Sequence, residues 1–127
     1  MRTHGLHHLA VRTPDLAAAE RFYVEVLGLG VLKRFFHDDG TPRSVWVALG
    51  EDAFLALEVG PTGAPPADAD PGWHCVALRI EASDRAYWRA RLAEAGHAIE
   101  RESDYTLYVR DPAGALLGLS HYPVAAE

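Results

Sequence analysis

The sequence predicts an α+β protein built from two βαβββ modules, and three observations lead to this prediction. First, GLHHLAVRTPDLAAAERFYVEVLGLG (residues 5–30) and GWHCVALRIEASDRAYWRARLAEAGH (residues 72–97) read alike. Each begins Gly-apolar-His, continues as an apolar strand ending near an Arg, and turns into a helix that stops at Gly. Second, GPTGAPPADADPG (residues 60–72) resists both helix and strand and separates the two halves. Third, three strand patterns separated by turn signals follow each helix.

The first module begins with a strand near residues 6–12 and continues into a helix. Thr13 and Pro14 are typical of a helix start, with Thr13 as the capping residue and Pro14 in the first helical position. Gly28 and Gly30 end this helix, whose apolar stripe consists of Ala19, Phe22, Tyr23, Val26 and Leu27. Three strands are predicted near residues 31–36, 44–49 and 54–59, with hairpin turns at residues 39–40 and 50–52.

The second module repeats this order. A strand over residues 74–80 precedes a helix that is capped by Ser83 and closed by Gly96, with an apolar stripe of Trp88, Leu92 and Ala95. Strands follow near residues 98–102, 105–110 and 116–121, and residues 111–114 (Asp-Pro-Ala-Gly) form a type I turn between the last two. We therefore expect a single domain over residues 1–127, with module one at 1–60, a linker at 61–71 and module two at 72–127.

Composition narrows the functional class. The chain has 127 residues, with 12 basic and 18 acidic side chains and a formal net charge of −6, which argues against a nucleic-acid partner. Cys75 is the single cysteine, so no internal disulfide can form and no oxidising compartment is implied. No apolar run is long enough to span a membrane, and the first residues lack the apolar core of a secretory signal. These features predict a cytoplasmic protein without a membrane partner.

Two histidines and one glutamate are the first candidates for a functional site. His8 and His74 lie early in the two similar stretches, so a shared cleft could hold both imidazoles, which are common ligands of transition metals. Alternation along residues 54–59 places Leu55, Leu57 and Val59 on one face, under a helix. Phe54, Ala56 and Glu58 then point to the opposite face, where a cleft residue would sit.

Four segments carry a resemblance to a known family. HHLAVRTPDLAAAERFYVEVLGL, LALEVGP, WHCVALRI and YVRDPAGALLGL resemble segments of the vicinal oxygen chelate superfamily, and the similarity covers nearly the whole chain. That superfamily includes glyoxalase I, methylmalonyl-CoA epimerase, extradiol dioxygenases, fosfomycin-resistance transferases and bleomycin-resistance proteins. The resemblance implies that the two modules form a curled, cup-shaped mixed sheet, that the protein is a homodimer, and that four strands each give one ligand to a divalent metal.

The resemblance also implies a ligand set. His8 matches the first ligand, Glu58 the second and His74 the third, while Gly118 falls where the family usually has a glutamate. Two imidazoles and one carboxylate would suit Zn, Fe, Mn or Ni and leave a position for water or substrate. The alternatives are cleft histidines that bind no metal and a Glu58 carboxylate that faces water at a strand end.

Aromatic side chains are the candidates for substrate contacts. Tyr105 and Tyr108 lie on the strand before the Asp-Pro-Ala-Gly turn and could contact a substrate, or could be amphipathic side chains with one solvated end. Trp46 and Phe54 could line an apolar pocket, or could belong to the core.

The sequence leaves two functions open. The first is a metalloenzyme of the glyoxalase or dioxygenase kind, acting on a small oxygen-rich molecule whose oxygens the metal chelates, with Glu58 as a base. The second is a non-catalytic protein of the bleomycin-resistance kind that binds a small molecule or a drug. The acidic balance and the tryptophans favour a cationic ligand in that second case.

Overall fold

The computed structural model describes residues 1–124, and these form two compact units. The first unit is Met1–Gly63 and the second begins at Ala64. Each unit contains one helical segment and one four-stranded sheet, so the α+β class and the two βαβββ modules are confirmed. The division into one domain with a linker at residues 61–71 stays a prediction, and the last three residues of module two lie outside the described residues.

The first unit follows the βαβββ order. Its strands are β1 (His8–Thr13), β2 (Val31–Phe36), β3 (Pro42–Leu49) and β4 (Ala53–Val59), in the sheet order β1-β4-β3-β2. Strand β1 runs parallel to β4, and the other two pairs are antiparallel. The sheet is therefore mixed, and β1 and β2 form its edges.

The helix of the first unit begins two residues later than the sequence predicts. It consists of α1 (Leu16–Glu20) and a π-helical continuation (Arg21–Val26). Thr13 is the last residue of β1, and its carbonyl accepts a hydrogen bond from the Gly60 amide at 2.9 Å. Because Thr13 is held in the strand, Asp15 takes the capping role and its Oδ1 accepts from the Ala18 amide at 3.0 Å.

One face of the first sheet forms the core of its unit. Val45 and Val47 of β3 and Leu55 and Leu57 of β4 are buried, and α1 contacts both strands. The buried residues of the helical segment are Leu16, Ala19, Phe22, Tyr23 and Leu27. The predicted alternation along β4 is confirmed at Leu55 and Leu57, whereas Val59 at the strand end is exposed.

Two irregularities interrupt the pairing of β2 with β3. Val31 pairs with Val47 and Lys33 with Trp46, so Leu32 is an extra residue on β2. Phe35 pairs with Ser44 and Phe36 with Pro42, so Arg43 is an extra residue on β3. Each bulge changes which face the neighbouring side chains occupy.

The second unit repeats the order with shorter strands. They are β5 (Val76–Arg79), β6 (Arg101–Glu102), β7 (Thr106–Arg110) and β8 (Leu116–Ser120), in the sheet order β5-β8-β7-β6. A 3₁₀ turn (Ala82–Asp84) leads into α2 (Arg85–Glu94). Asp84 rather than Ser83 occupies the position before α2, and it makes no capping hydrogen bond through its side chain.

Candidate functional site

The candidate site of the first unit is the sheet face turned away from α1, here called the aromatic face. Residues that pair in register lie on the same face of a sheet, and every second residue of a strand shares it. The register therefore assigns to this face His8, Ala10 and Arg12 of β1, Phe54, Ala56 and Glu58 of β4, Ser44, Trp46 and Ala48 of β3, and Lys33 and Phe35 of β2.

Four rings form a continuous row across the aromatic face. His8 stacks on Phe54 with ring centroids 4.8 Å apart and planes 7° from parallel. Phe54 stacks on Trp46 at 4.3 Å, and Trp46 contacts Phe35 at 4.7 Å. Phe35, Trp46 and Phe54 are half-buried and His8 is exposed, so each ring keeps surface that a ligand can reach.

His8 has a polar neighbour, the ring of His7. His7 lies just before β1, and its Nδ1 is 2.9 Å from Nδ1 of His8, so one of the two rings donates a hydrogen bond to the other. The alternation of side chains between faces holds only within a strand, so it does not separate His7, which lies outside β1, from His8. The contact uses Nδ1 of His8 and leaves its Nε2 as the nitrogen open to a ligand.

Glu58 lies on the aromatic face but far from His8. It lines a surface cavity of about 350 Å³, together with Phe35, Arg43, Ser44, Trp46 and Val59. In the register of β1 and β4, His8 pairs with Phe54 and Arg12 pairs with Glu58. Four residues along a strand correspond to about 13 Å. His8 and Glu58 thus share a face, but they are too far apart to bind the same metal ion.

In the second unit, His74 precedes β5 rather than lying in it. The predicted strand over residues 74–80 begins at Val76, and His74 is exposed. Arg101 Nη2 donates to His74 Nε2 at 3.1 Å. A guanidinium at this distance occupies the lone pair that a metal would use and repels a cation, so metal binding at Nε2 requires Arg101 to move.

The two candidate tyrosines have different surroundings. Tyr108, on β7, is half-buried, and the Arg101 guanidinium lies over its ring at 4.5 Å. Tyr105 lies just before β7 and is exposed, and its ring contacts those of His121 and Tyr122. Neither tyrosine belongs to the aromatic face, which lies in the first unit.

The β1–β4 register and the β5–β8 register, read with the repeated sequence, show which residues of the two units are equivalent. Ala10 pairs with Ala56 in the first sheet, and Ala77 pairs with Gly118 in the second. Since Ala10 and Ala77 hold the same place in the repeated sequence, His7 corresponds to His74 and His8 corresponds to Cys75. The position equivalent to Gly118 is Ala56, not Glu58. In the repeat, His8 and His74 therefore occupy positions that differ by one residue.

The divalent metal that the resemblance implies does not fit the residues proposed to hold it. His8 and Glu58 cannot share an ion, His74 accepts a hydrogen bond from Arg101, and Gly118 has no side chain. Within residues 1–124, no three His, Cys, Asp or Glu side chains cluster in a way that could hold a metal ion. The contact of His8 and His74 with a common ligand stays a prediction.

The sequence predicts some of the candidate site residues of the first unit but not all of them. Trp46, Phe54 and Glu58 all lie on the aromatic face, as does His8. Phe35, Lys33 and Arg43 were missed, because their positions depend on the two bulges and a simple alternating pattern hides them.

Comparisons with known sequences and with solved structures both point to one superfamily. A sequence model described as the glyoxalase/bleomycin resistance protein/dioxygenase superfamily matches residues 5–119, whereas no curated protein matches. Among solved structures, a glyoxalase/dioxygenase from Nostoc punctiforme is 21% identical with a TM-score of 0.78, over 94% of this chain and 92% of that one. A glyoxalase family protein from Enterococcus faecalis is 26% identical with a TM-score of 0.73, over 92% and 97%.

A third similar structure is a fosfomycin resistance protein, FosX, from Listeria monocytogenes in complex with Mn(II) and a sulfate ion. It is 13% identical with a TM-score of 0.78, over 97% of this chain and 96% of that one. At such identity the likeness shows the fold, and the family match covers most of the sequence. The chain therefore belongs to the glyoxalase/bleomycin resistance protein/dioxygenase superfamily.

Proposed function

We propose that this protein binds a small planar organic molecule on the aromatic face of its first unit. The observation that carries this proposal is the row of four rings, His8, Phe54, Trp46 and Phe35, which crosses all four strands. A planar ligand ring can pack against the exposed edges of such a row, and each aromatic contact contributes about 0.5–1.5 kcal/mol beyond the burial of apolar area. The cavity beside Trp46 has the size of a small-ligand site.

This proposal corresponds to the binding-protein alternative within the superfamily. It requires no metal, and it uses residues that the structure brings together in one unit. Trp46 is central, because it contacts rings on both sides and lines the cavity that contains Glu58. Phe54 supports Trp46 and connects it to His8.

The test is calorimetric binding of an uncharged planar probe, 2-naphthamide, to the parent and to Trp46→Ala. We expect the substitution to weaken binding roughly tenfold or more, as is common for a central aromatic contact. Trp73→Ala is the matched control, because it removes an exposed indole that belongs to the second unit. Equal affinity in the parent and Trp46→Ala, or no binding of any planar probe, would contradict the proposal.

A metal-dependent enzyme of the glyoxalase or dioxygenase kind is the second candidate. Two observations favour it: the similar FosX structure contains Mn(II), and the contact with His7 leaves Nε2 of His8 open. This candidate needs ligands other than Glu58, since Glu58 is about 13 Å from His8 along the sheet. Elemental analysis of the purified protein for bound metal tests it.

We also propose that the protein is a homodimer. The resemblance to the superfamily supports this, and so does β2, an edge strand on which Leu32 and Phe36 are exposed. Unpaired edges with apolar side chains favour association unless they are covered. Among residues 1–124, no helix is long and apolar enough to cross a membrane. The cytoplasmic location stays a prediction.

A further inference from the structure

We infer that the ligand of the aromatic face is an aromatic acid, a planar ring that carries a carboxylate or a phosphate. This inference rests on the proposed function and specifies the chemistry of its ligand. It depends on two cations at one end of the ring row: Lys33 Nζ lies 4.9 Å from the Phe35 ring centroid, and Arg43 Cζ lies 5.4 Å from it.

The first cation reaches this position because of a bulge in β3. Without the bulge, Arg43 would alternate with Ser44 and share the buried face of Val45. Phe35 instead pairs with Ser44 and Phe36 with Pro42, which leaves Arg43 as the extra residue. The side chain of a bulged residue is redirected, and here the Arg43 guanidinium lies over Phe35 and lines the cavity.

The position of the second cation, Lys33, depends on the bulge in β2. If β2 continued without interruption from the pairing of Val31 with Val47, Lys33 would pair with Val45 on the buried face. Leu32 is inserted, so Lys33 pairs with Trp46 on the aromatic face. Two independent irregularities thus place Lys33 and Arg43 at the same end of the row, whereas a regular register would have turned each of these two side chains to the buried face.

The charge of this face differs from that of the whole chain. The aromatic face and the adjoining Arg43 carry three cations, Arg12, Lys33 and Arg43, against the single carboxylate of Glu58. Over residues 1–124, Lys33 and Arg43 have ring contacts but no ion pair with a carboxylate. The chain as a whole has a net charge of −6, so the local excess of positive charge favours an anionic ligand and disfavours the cationic ligand that composition suggested.

These positions also orient the ligand. A planar ring packed against the exposed edge of Trp46 in the cavity would direct its acidic group towards Lys33 and Arg43, whose donors suit carboxylate and phosphate oxygens. Glu58 lines the same cavity, and it would repel an acid in the reversed orientation. It can accept a hydrogen bond from a hydroxyl or amino substituent on the ring.

The experiment compares four naphthalene probes that differ in charge: 2-naphthoate, 2-naphthyl phosphate, 2-naphthamide and 2-naphthylmethylammonium. Binding is measured by calorimetry at low and high salt, and the indole N–H signal of Trp46, assigned with Trp46→Phe, reports the site by NMR. The variants are Arg43→Gln and Lys33→Gln. Arg34→Gln is the matched control, because Arg34 pairs with Val45 on the opposite face and forms an ion pair with Glu20.

We expect at least one of the two acids to bind roughly tenfold more tightly than the amide, with a preference that shrinks as salt rises. Arg43→Gln and Lys33→Gln should each reduce that preference and leave the affinity for the amide nearly unchanged, whereas Arg34→Gln should change neither. Comparison of the two acids shows whether carboxylate or phosphate is preferred.

Two results would overturn the inference while leaving the proposed function intact. One is binding of the amide or the ammonium probe as tightly as both acids. The other is an equal effect of Arg34→Gln and Arg43→Gln, which would indicate net charge rather than a site. Failure of all four probes, including the uncharged one, would instead contradict the proposed function itself.

Discussion

At the scale of single residues, Gly118 occupies the position where the resemblance implies a carboxylate, and neighbouring side chains pack closely against it. A Cβ placed on Gly118 would lie 3.0 Å from Cγ2 of Thr106, 3.4 Å from Cβ of Ala77 and 3.6 Å from Cε1 of Tyr108. Neighbouring side chains thus fill the space that a larger residue would need. A glutamate at this position would have to displace them.

This packing predicts a measurable coupling between Gly118 and Thr106. Gly118→Ala should lower the free energy of unfolding by roughly 1–2 kcal/mol, because the new methyl group is too close to Cγ2 of Thr106. Thr106→Ser removes Cγ2 but keeps the hydroxyl, which donates to Ser120 Oγ at 2.9 Å. Urea unfolding of both single variants and the double variant should give a smaller loss in the double than the sum of the singles. Strict additivity would contradict the contact.

At the scale of secondary-structure elements, the sequence predicted the order of strands and helices but not their local irregularities. The sequence pattern located β2 over Val31–Phe36. It also predicted the alternation of Leu55 and Leu57, which depends on burial against a helix. It could not locate the bulges at Leu32 and Arg43, because a bulge depends on how two distant strands pair. The charged end of the aromatic face was therefore absent from the sequence-based site.

The start of β5 shows the same limit. An apolar pattern over residues 74–80 fits a strand, yet pairing with β8 begins only at Val76. His74 consequently lies in the preceding segment and contacts Arg101, a residue far along the chain. Such a contact leaves no local signal in the sequence.

The segment that precedes β5 is tied to β7 by an ion pair. Arg110 Nη2 donates to Asp68 Oδ1 at 2.9 Å, and Arg110 Nε donates to Glu100 Oε2 at 3.0 Å. The hydrogen bond from Arg110 is the main reason that the pKa of Asp68 lies below its usual value of 3.8. The same two carboxylates raise the pKa of Arg110. The ion pair thus joins an irregular segment to the second sheet.

This ion pair predicts a pH effect of defined sign. A carboxyl group whose pKa is lowered by folding contributes stability above its unfolded pKa, and loses it as pH falls through the folded value. We expect Arg110→Gln to move the titration midpoint of Asp68, followed by carboxyl ¹³C NMR, upwards towards 3.8. Arg34→Gln, which removes a cation from the first unit, should leave that midpoint unchanged. An unchanged midpoint in Arg110→Gln would show that Arg110 is not the cause.

At the scale of the whole molecule, the homodimer is the first property to measure. We expect sedimentation velocity to show a species of twice the chain mass that dissociates on dilution. Leu32→Lys places a charge at an exposed apolar position on edge strand β2 and should weaken the association if this edge takes part. Lys33→Gln is a neighbouring control that leaves Leu32 in place. A monomer at high micromolar concentration would contradict the dimer.

Metal content is the measurement that separates the two candidate functions of the molecule. The donor geometry of His8, Glu58 and His74 leads us to expect less than stoichiometric metal after growth in metal-supplemented medium. Chelator should accordingly leave the affinity for planar probes unchanged. Elemental analysis of the parent, His8→Ala, His74→Ala and Glu58→Gln makes the test specific. Stoichiometric metal that is lost in both histidine variants would favour the enzyme. In that case Glu58→Gln should keep its metal, because Glu58 is offset from His8 by about 13 Å along the strands and cannot bind the same ion.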